Sequence, residues 1–195
     1  MIRLGGATWG RPGRIRSVTL SGPGEVRVRP DEERRYTEYV SSRLPWLRKI
    51  GFLLCQDWHR ADDLAQGTIT KLYVHWRRAS RADNLDAYVR TILVREYLGQ
   101  QRTAWNSRVD LGAHLTAERP SFDGDHATRL AVRTALADVA PRQRAALVLR
   151  YYCDLSVEEA ADVLRCSAGT VKSQTARGLE SLRRALDARQ ITVEG

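Results

Sequence analysis

Residues 156–186 read SVEEAADVLRCSAGTVKSQTARGLESLRRAL, two short amphipathic segments parted by a tight turn, which is the signature of a helix-turn-helix. Ser156 is placed to cap the first segment while Glu159, three residues on, reaches back to the cap's own N–H. Val157, Ala160, Ala161 and Leu164 recur at helical spacing as its buried face. Cys166 to Gly169 supply the turn. From Thr170 onward Val171, Thr175, Gly178, Leu182 and Leu186 share one side of a helix, and Thr170, Ser173, Gln174, Arg177 and Arg184 lie roughly opposite. A merely solvated hairpin would also be polar outside. The choice of Ser, Gln and Arg, with no carboxylate on the stripe before Glu180, instead favours a face that bonds base edges and phosphates in a major groove.

Composition agrees with a polyanionic partner. The 195-residue chain carries a net charge of +9, most of its cations being Arg, so its affinity for nucleic acid depends on salt. A membrane surface fits less well: no apolar run approaches a spanning length, and the basic residues are dispersed rather than clustered. With 43% hydrophobic residues the chain can build one or two helical cores without disulfides. Cys55, Cys153 and Cys166 form no C-x-x-C pair, which indicates neither a disulfide framework nor a four-thiolate zinc site, but reduced thiols in a cytoplasm.

Upstream of the helix-turn-helix the periodicity is helical almost throughout, so the expected fold is all-α: two small helical domains, an N-terminal bundle and a C-terminal helix-turn-helix domain, joined by a flexible linker. Residues 1–30 read as a disordered basic arm without the apolar core of a secretory signal. The bundle spans 31–102. Its first helix starts at Asp31, Glu32 and Glu33, turns Tyr36, Tyr39 and Val40 inward, and is interrupted by Pro45. The chain resumes with Leu47, Ile50, Phe52 and Leu54 mostly buried. Asp57 caps the next helix, which runs to about Arg78 with Ala61, Leu64, Ala65, Thr68, Leu72 and Trp76 in period. After the polar loop RRASRADN, Asn84 caps a helix to about Arg102, with Leu85, Val89, Ile92 and Leu93 inward and Arg90, Arg95 and Gln101 outward. Residues 103–124 read as the linker and 125–189 as the second domain, in which Pro141 opens a supporting helix; 190–195 are a tail.

The run from Pro141 to Leu186 resembles the promoter-recognition domain of bacterial RNA polymerase sigma factors, HRADDLAQGTITKLYVHW resembles the family's polymerase-binding helix, and NLDAYVRTILVREYL its helix for the -10 element. Two such domains joined by a short linker resemble the extracytoplasmic-function group, and TVKSQTARGL with DNLDAYVRTILV looks most like its actinobacterial sigma-E-like branch. The resemblance covers roughly residues 33–188. It implies a factor that binds core RNA polymerase, through the beta-prime clamp and beta flap, and directs promoter recognition and transcription initiation. The partners so implied are double-stranded promoter DNA, the single-stranded non-template strand and, among regulators, an anti-sigma factor.

The same resemblance assigns Asp62, Asp63, Leu64, Gln66 and Thr68 to an exposed polymerase-binding face. It assigns Asn84, Tyr88, Arg90 and Arg95 to the -10 element and Thr170, Lys172, Ser173, Gln174 and Arg177 to the -35 element, with Arg177 for guanine and Lys172 for phosphate. The chain departs from the family where Gln174 replaces a common Arg, Arg95 a common Asn, and Gly67 a usual acid. A stand-alone regulator of the response-regulator output type shares the helix-turn-helix but usually follows an α/β sensor. A metal enzyme is disfavoured because His75 lies sixteen residues from His59 on one helix, and no nucleophile or phosphate-cradling motif is present. No cofactor, metal or catalytic residue is expected.

Overall fold

The computed structural model describes residues 30–107 and 126–193, so the basic arm and the central part of the expected linker lie outside the described residues. Among the described residues every element is helical: α1 (Pro30–Cys55), α2 (Trp58–Val74), α3 (Trp76–Ala79), α4 (Leu85–Ser107), α5 (His126–Ala137), α6 (Pro141–Leu147), a π-helical turn (Val148–Tyr152), α7 (Val157–Leu164) and α8 (Ala168–Val193). These residues hold no α/β sensor.

The acids Asp31, Glu32 and Glu33 fill the first turn of α1, where the helix dipole favours them. Contrary to the expectation from Pro45, α1 is not interrupted there. Ser41 and Pro45 are both exposed, so the carbonyl that loses its helical partner meets water, while Leu47, Ile50 and Leu54 continue the buried stripe. Gln56, at φ 60°, turns the chain, and the Asp57 side chain accepts from Arg60 N at 2.8 Å to start α2. With so short a connection α1 and α2 run antiparallel. The second helix ends earlier than expected: His75 breaks it, and residues 76–79 form the separate turn α3.

At the head of α4 Asn84 Oδ1 accepts from Ala87 N at 2.9 Å, the cap expected of it. The helix then continues to Ser107, through what the sequence suggested was already linker, and α8 likewise extends to Val193 into the expected tail. Leu47, Ile50, Leu54, Leu64, Leu72, Val89, Leu93 and Tyr97 are fully buried between α1, α2 and α4. Trp76 is buried too, edge-on to Tyr36 at 5.3 Å, a core residue as its register indicated.

The same apolar cluster runs on without a break into Ala145, Val148, Leu149, Leu155, Ala160, Val163 and Val171, so the C-terminal helices pack directly on the bundle. A satellite of Leu136, Val139 and Leu147, with Val132 and Leu182 against it, joins α5, α6 and α8. Arg144, 8% exposed, ties the arrangement together: its guanidinium donates to Leu54 O at 2.8 Å, to Ala137 O at 2.9 Å, and twice to Val139 O. A buried cation each of whose three nitrogens meets a carbonyl loses much less by burial than one left without partners.

Candidate nucleic-acid interface

Ser156 and Glu159 make the full capping box at the start of α7: Glu159 N donates to Ser156 Oγ at 3.1 Å and Ser156 N to Glu159 Oε2 at 2.8 Å. Ala160, Ala161 and Val163 are buried, with Val157 and Leu164 at the margin. The turn lies one residue earlier than expected. Arg165 takes the left-handed conformation at φ 53°, and Ser167 caps α8, its Oγ accepting from Thr170 N at 3.1 Å. The cost of a left-handed Arg is met by its N–H bonding Ala161 O.

Two buried positions fix the roll of α8. Val171 is fully buried, and at Gly178 a Cβ would stand 3.1 Å from both Cγ and Cδ1 of Leu147, so α6 approaches as closely as a backbone without a side chain permits. That roll leaves Lys172, Ser173 and Arg177 exposed and Thr170 and Gln174 half-buried on the outer side. Ser173 and Arg177 therefore stand together on the outer side, with Thr170 and Gln174 on one flank and Lys172 on the other, and the Thr170 hydroxyl is already within 2.9 Å of Ser167 Oγ. Lys172 and Arg177 supply cations, and Ser173 and Gln174 supply donors and acceptors for base edges.

The -10 residues are dispersed by the fold. Asn84 is occupied as a helix cap, and Tyr88 is half-buried against the core. Arg90, expected outward, is only 7% exposed, lying near both Tyr39 of α1 and Cys153 after the π turn; its Nε has no hydrogen-bond partner. Arg95 is half-buried, its Nε donating to Val163 O at 3.1 Å and Nη2 to Asp162 O at 2.9 Å. Burial and the nearby Arg165 push its pKa down, and Asp162 opposes them. The exposed cations Arg77, Arg78 and Arg81 surround the loop before Asn84.

Of the residues expected on the polymerase-binding face, Asp63 and Gln66 are exposed and Asp62 is half-exposed. Leu64 and Thr68 are corrections: both are fully buried, Thr68 Oγ1 donating to Leu64 O at 2.8 Å, because they fall on the stripe of α2 that faces α1 and α4. They hold the helix rather than offer it. Asp62 is gripped by Arg48, whose Nε and Nη2 reach its two oxygens at 2.5 and 2.9 Å. That bond raises the Arg48 pKa. The Arg48 guanidinium lies 5.7 Å from the Trp58 ring centre, Trp58 stacks on Phe52 at 4.2 Å, and Arg133 of α5 stands 4.5 Å over Phe52. Arg48, Arg133 and Arg144 were not singled out from the sequence; each has a partner on another helix, Asp62, Phe52 and Leu54 respectively, 14 or more residues away and beyond any periodic signal.

Comparison with known proteins accounts for both halves. Residues 39–107 match "Sigma-70 region 2" and 129–182 match "Sigma-70, region 4". The chain is 34% identical over 161 residues to the RNA polymerase sigma-E factor of Streptomyces coelicolor, covering 80% of this chain and 88% of that one. The Streptomyces avermitilis sigma-E factor is 33% identical over 80% and 87%. Among solved structures, the sigma factor RpoE of Bartonella quintana, in complex with the anti-sigma factor NepR, superposes with a TM-score of 0.68 at 27% identity, covering 79% of this chain and 98% of that one.

Proposed function

We propose, from the premise that this chain belongs to the sigma-70 family of RNA polymerase sigma factors, in the sigma-E-like part of its extracytoplasmic-function group, a division of labour among its helices. The chain directs promoter recognition and transcription initiation with core RNA polymerase; α8 reads the -35 element, α2 holds core polymerase, and α4 with the loop before it captures the -10 element. Phosphodiester chemistry belongs to the polymerase, and the chain works in the cytoplasm, where polymerase and promoter are. An anti-sigma protein is a partner on the ground that the Bartonella relative binds one.

The observation that carries this reading is the outer side of α8. Val171 and Gly178 lock one side against the domain, and the opposite side presents Ser173 and Arg177, flanked by Lys172 and Gln174, with no acid before Glu180. A guanidinium there forks onto guanine O6 and N7, and an ammonium at the edge meets phosphate. Asp63 and Gln66, with Asp62 shared with Arg48, make the polar side of α2 that faces the basic surface of the clamp, while Leu64 and Thr68 stiffen it from behind.

Run-off transcription on promoters substituted one base pair at a time tests the assignment. Arg177→Ala should cost about 1–3 kcal/mol at one position of the -35 element and relax preference there. Lys172→Ala should weaken every promoter evenly and reduce the salt dependence. An unchanged base preference in Arg177→Ala refutes the role given to α8.

A further inference from the structure

The helix assigned to the -10 element is, with α1, one of the two on which the C-terminal unit sits. Arg95 of α4 donates to Asp162 O and Val163 O, carbonyls in the last turn of α7, where a helix has no partners of its own and its dipole attracts a cation. About one turn earlier Arg90 is buried, and its charge acts on both Tyr39 in α1 and Cys153 after the π turn. From the C-terminal unit to α1, Arg144 of α6 bonds Leu54 O at 2.8 Å, and Arg133 of α5 covers Phe52 at 4.5 Å.

Beside the apolar cluster that the two units share, Arg95, Arg133 and Arg144 hold them together through neutral acceptors, two sets of carbonyls and an aromatic ring. Carbonyls compete poorly with a phosphate for a guanidinium, because only the phosphate returns a full charge. The Arg95 fork therefore has two mutually exclusive partners, the end of α7 and a nucleic-acid backbone.

We propose that this packing is an autoinhibitory closure in which Arg95 is the latch: the free chain keeps the -10 side of α4 shut against α7, and Arg95 must release the α7 carbonyls before that side can meet single-stranded DNA. The proposal rests on the reading of α4 given above. Closure is a two-state equilibrium that any ligand of the open form shifts, so core polymerase separating the units and DNA capturing Arg95 both favour opening. A chain with Asn at this position would have a shorter, uncharged fork and a weaker latch.

The test uses the full chain with paramagnetic labels carried on non-natural side chains at Ser42 of α1 and Ala176 of α8, both exposed. The free wild-type chain should give one short inter-label distance, and added core polymerase a longer one. Arg133→Ala removes a cross-unit contact without touching any residue given to DNA or polymerase, and should raise the ratio of long to short distances by about five-fold, the worth of a modest cation–π contact. Arg95→Ala should raise it by at least as much. Binding of a single-stranded non-template -10 oligonucleotide to the free chain should tighten in Arg133→Ala by a similar factor. A long distance in the wild type, or short distances kept by both variants with unchanged circular dichroism, overturns the latch. Opening without tighter oligonucleotide binding overturns the masking. Run-off transcription then separates the two ideas: if Arg95→Ala also leaves -10 base preference unmoved, it is the reading of α4 that has failed.

Discussion

Replacing Arg144 is expected to unfold both halves of the molecule more easily, although only one half contains it. Its side chain makes hydrogen bonds of 3.3 and 2.9 Å to Val139 O, 2.9 Å to Ala137 O and 2.8 Å to Leu54 O. Each bond from a charged donor is worth about 1.5–3 kcal/mol once made, but the guanidinium gave up its hydration to be there, so the sum overstates the loss. Arg144→Met removes the charge and its desolvation cost together and leaves three carbonyl groups without a donor, for a net loss of about 3 kcal/mol. Arg144→Lys keeps the charge but not the planar fork and should lose about 2 kcal/mol. Urea unfolding followed by two probes tests this. Trp46, Trp58 and Trp76 lie in the bundle and no tryptophan follows position 105, so fluorescence changes on unfolding report the bundle and not the C-terminal unit, while circular dichroism reports every helix. Because Arg144 bonds Leu54 and one apolar cluster crosses between the halves, both probes should shift to the same lower midpoint. A loss below about 1 kcal/mol in Arg144→Met, or a fluorescence transition that stays put while circular dichroism moves, refutes the reasoning.

Two glycines in helices should respond with opposite signs. At Gly67 a Cβ meets nothing within 4 Å, so Gly67→Ala should stabilise α2 by about 0.5–1 kcal/mol. At Gly178 a Cβ would stand 3.1 Å from Leu147, so Gly178→Ala should cost about 1–2 kcal/mol after its helix-propensity gain and weaken promoter binding with it; equal midpoints for the pair in thermal unfolding contradict the close α6–α8 approach. Burial pushes the Cys55 thiol up to about 11, above its unfolded value near 9. Its contribution is therefore intact below pH 9 and lost as pH rises towards 11, where it amounts to about 2 kcal/mol, and Cys55→Ala should flatten this alkaline limb of the stability profile; an unaltered limb sinks the assignment.

Most of the fold was legible in the sequence because local chemistry dictates it. The Ser156–Glu159 capping box, the Asp57 and Asn84 caps and the alternation around Val171 and Gly178 all involve residues within a few turns of one another. Pro45 misled because the cost of a proline inside a helix depends on whether the freed carbonyl reaches water, which composition does not reveal. The exposed polar residues of α8 were legible as well, because they belong to one helix. The -10 and polymerase residues were less so. Helical register could not say which neighbour covers a side of α2 or α4: Leu64 and Thr68 turn into the core, Arg90 is buried, and Arg95 bonds the end of α7. Contacts such as Arg144 to Leu54, 90 residues apart, leave no periodic trace at all.

The central claim is that two helical units of this chain give polymerase its choice of start site. Start-site mapping of run-off transcripts made by purified core polymerase on genomic promoter fragments, with and without the full chain, tests it most directly. The account predicts that the chain creates discrete starts, each preceded by a shared pair of spaced sequence elements, and that Arg177→Ala alters the upstream element alone. Starts identical to those of core polymerase alone would contradict it.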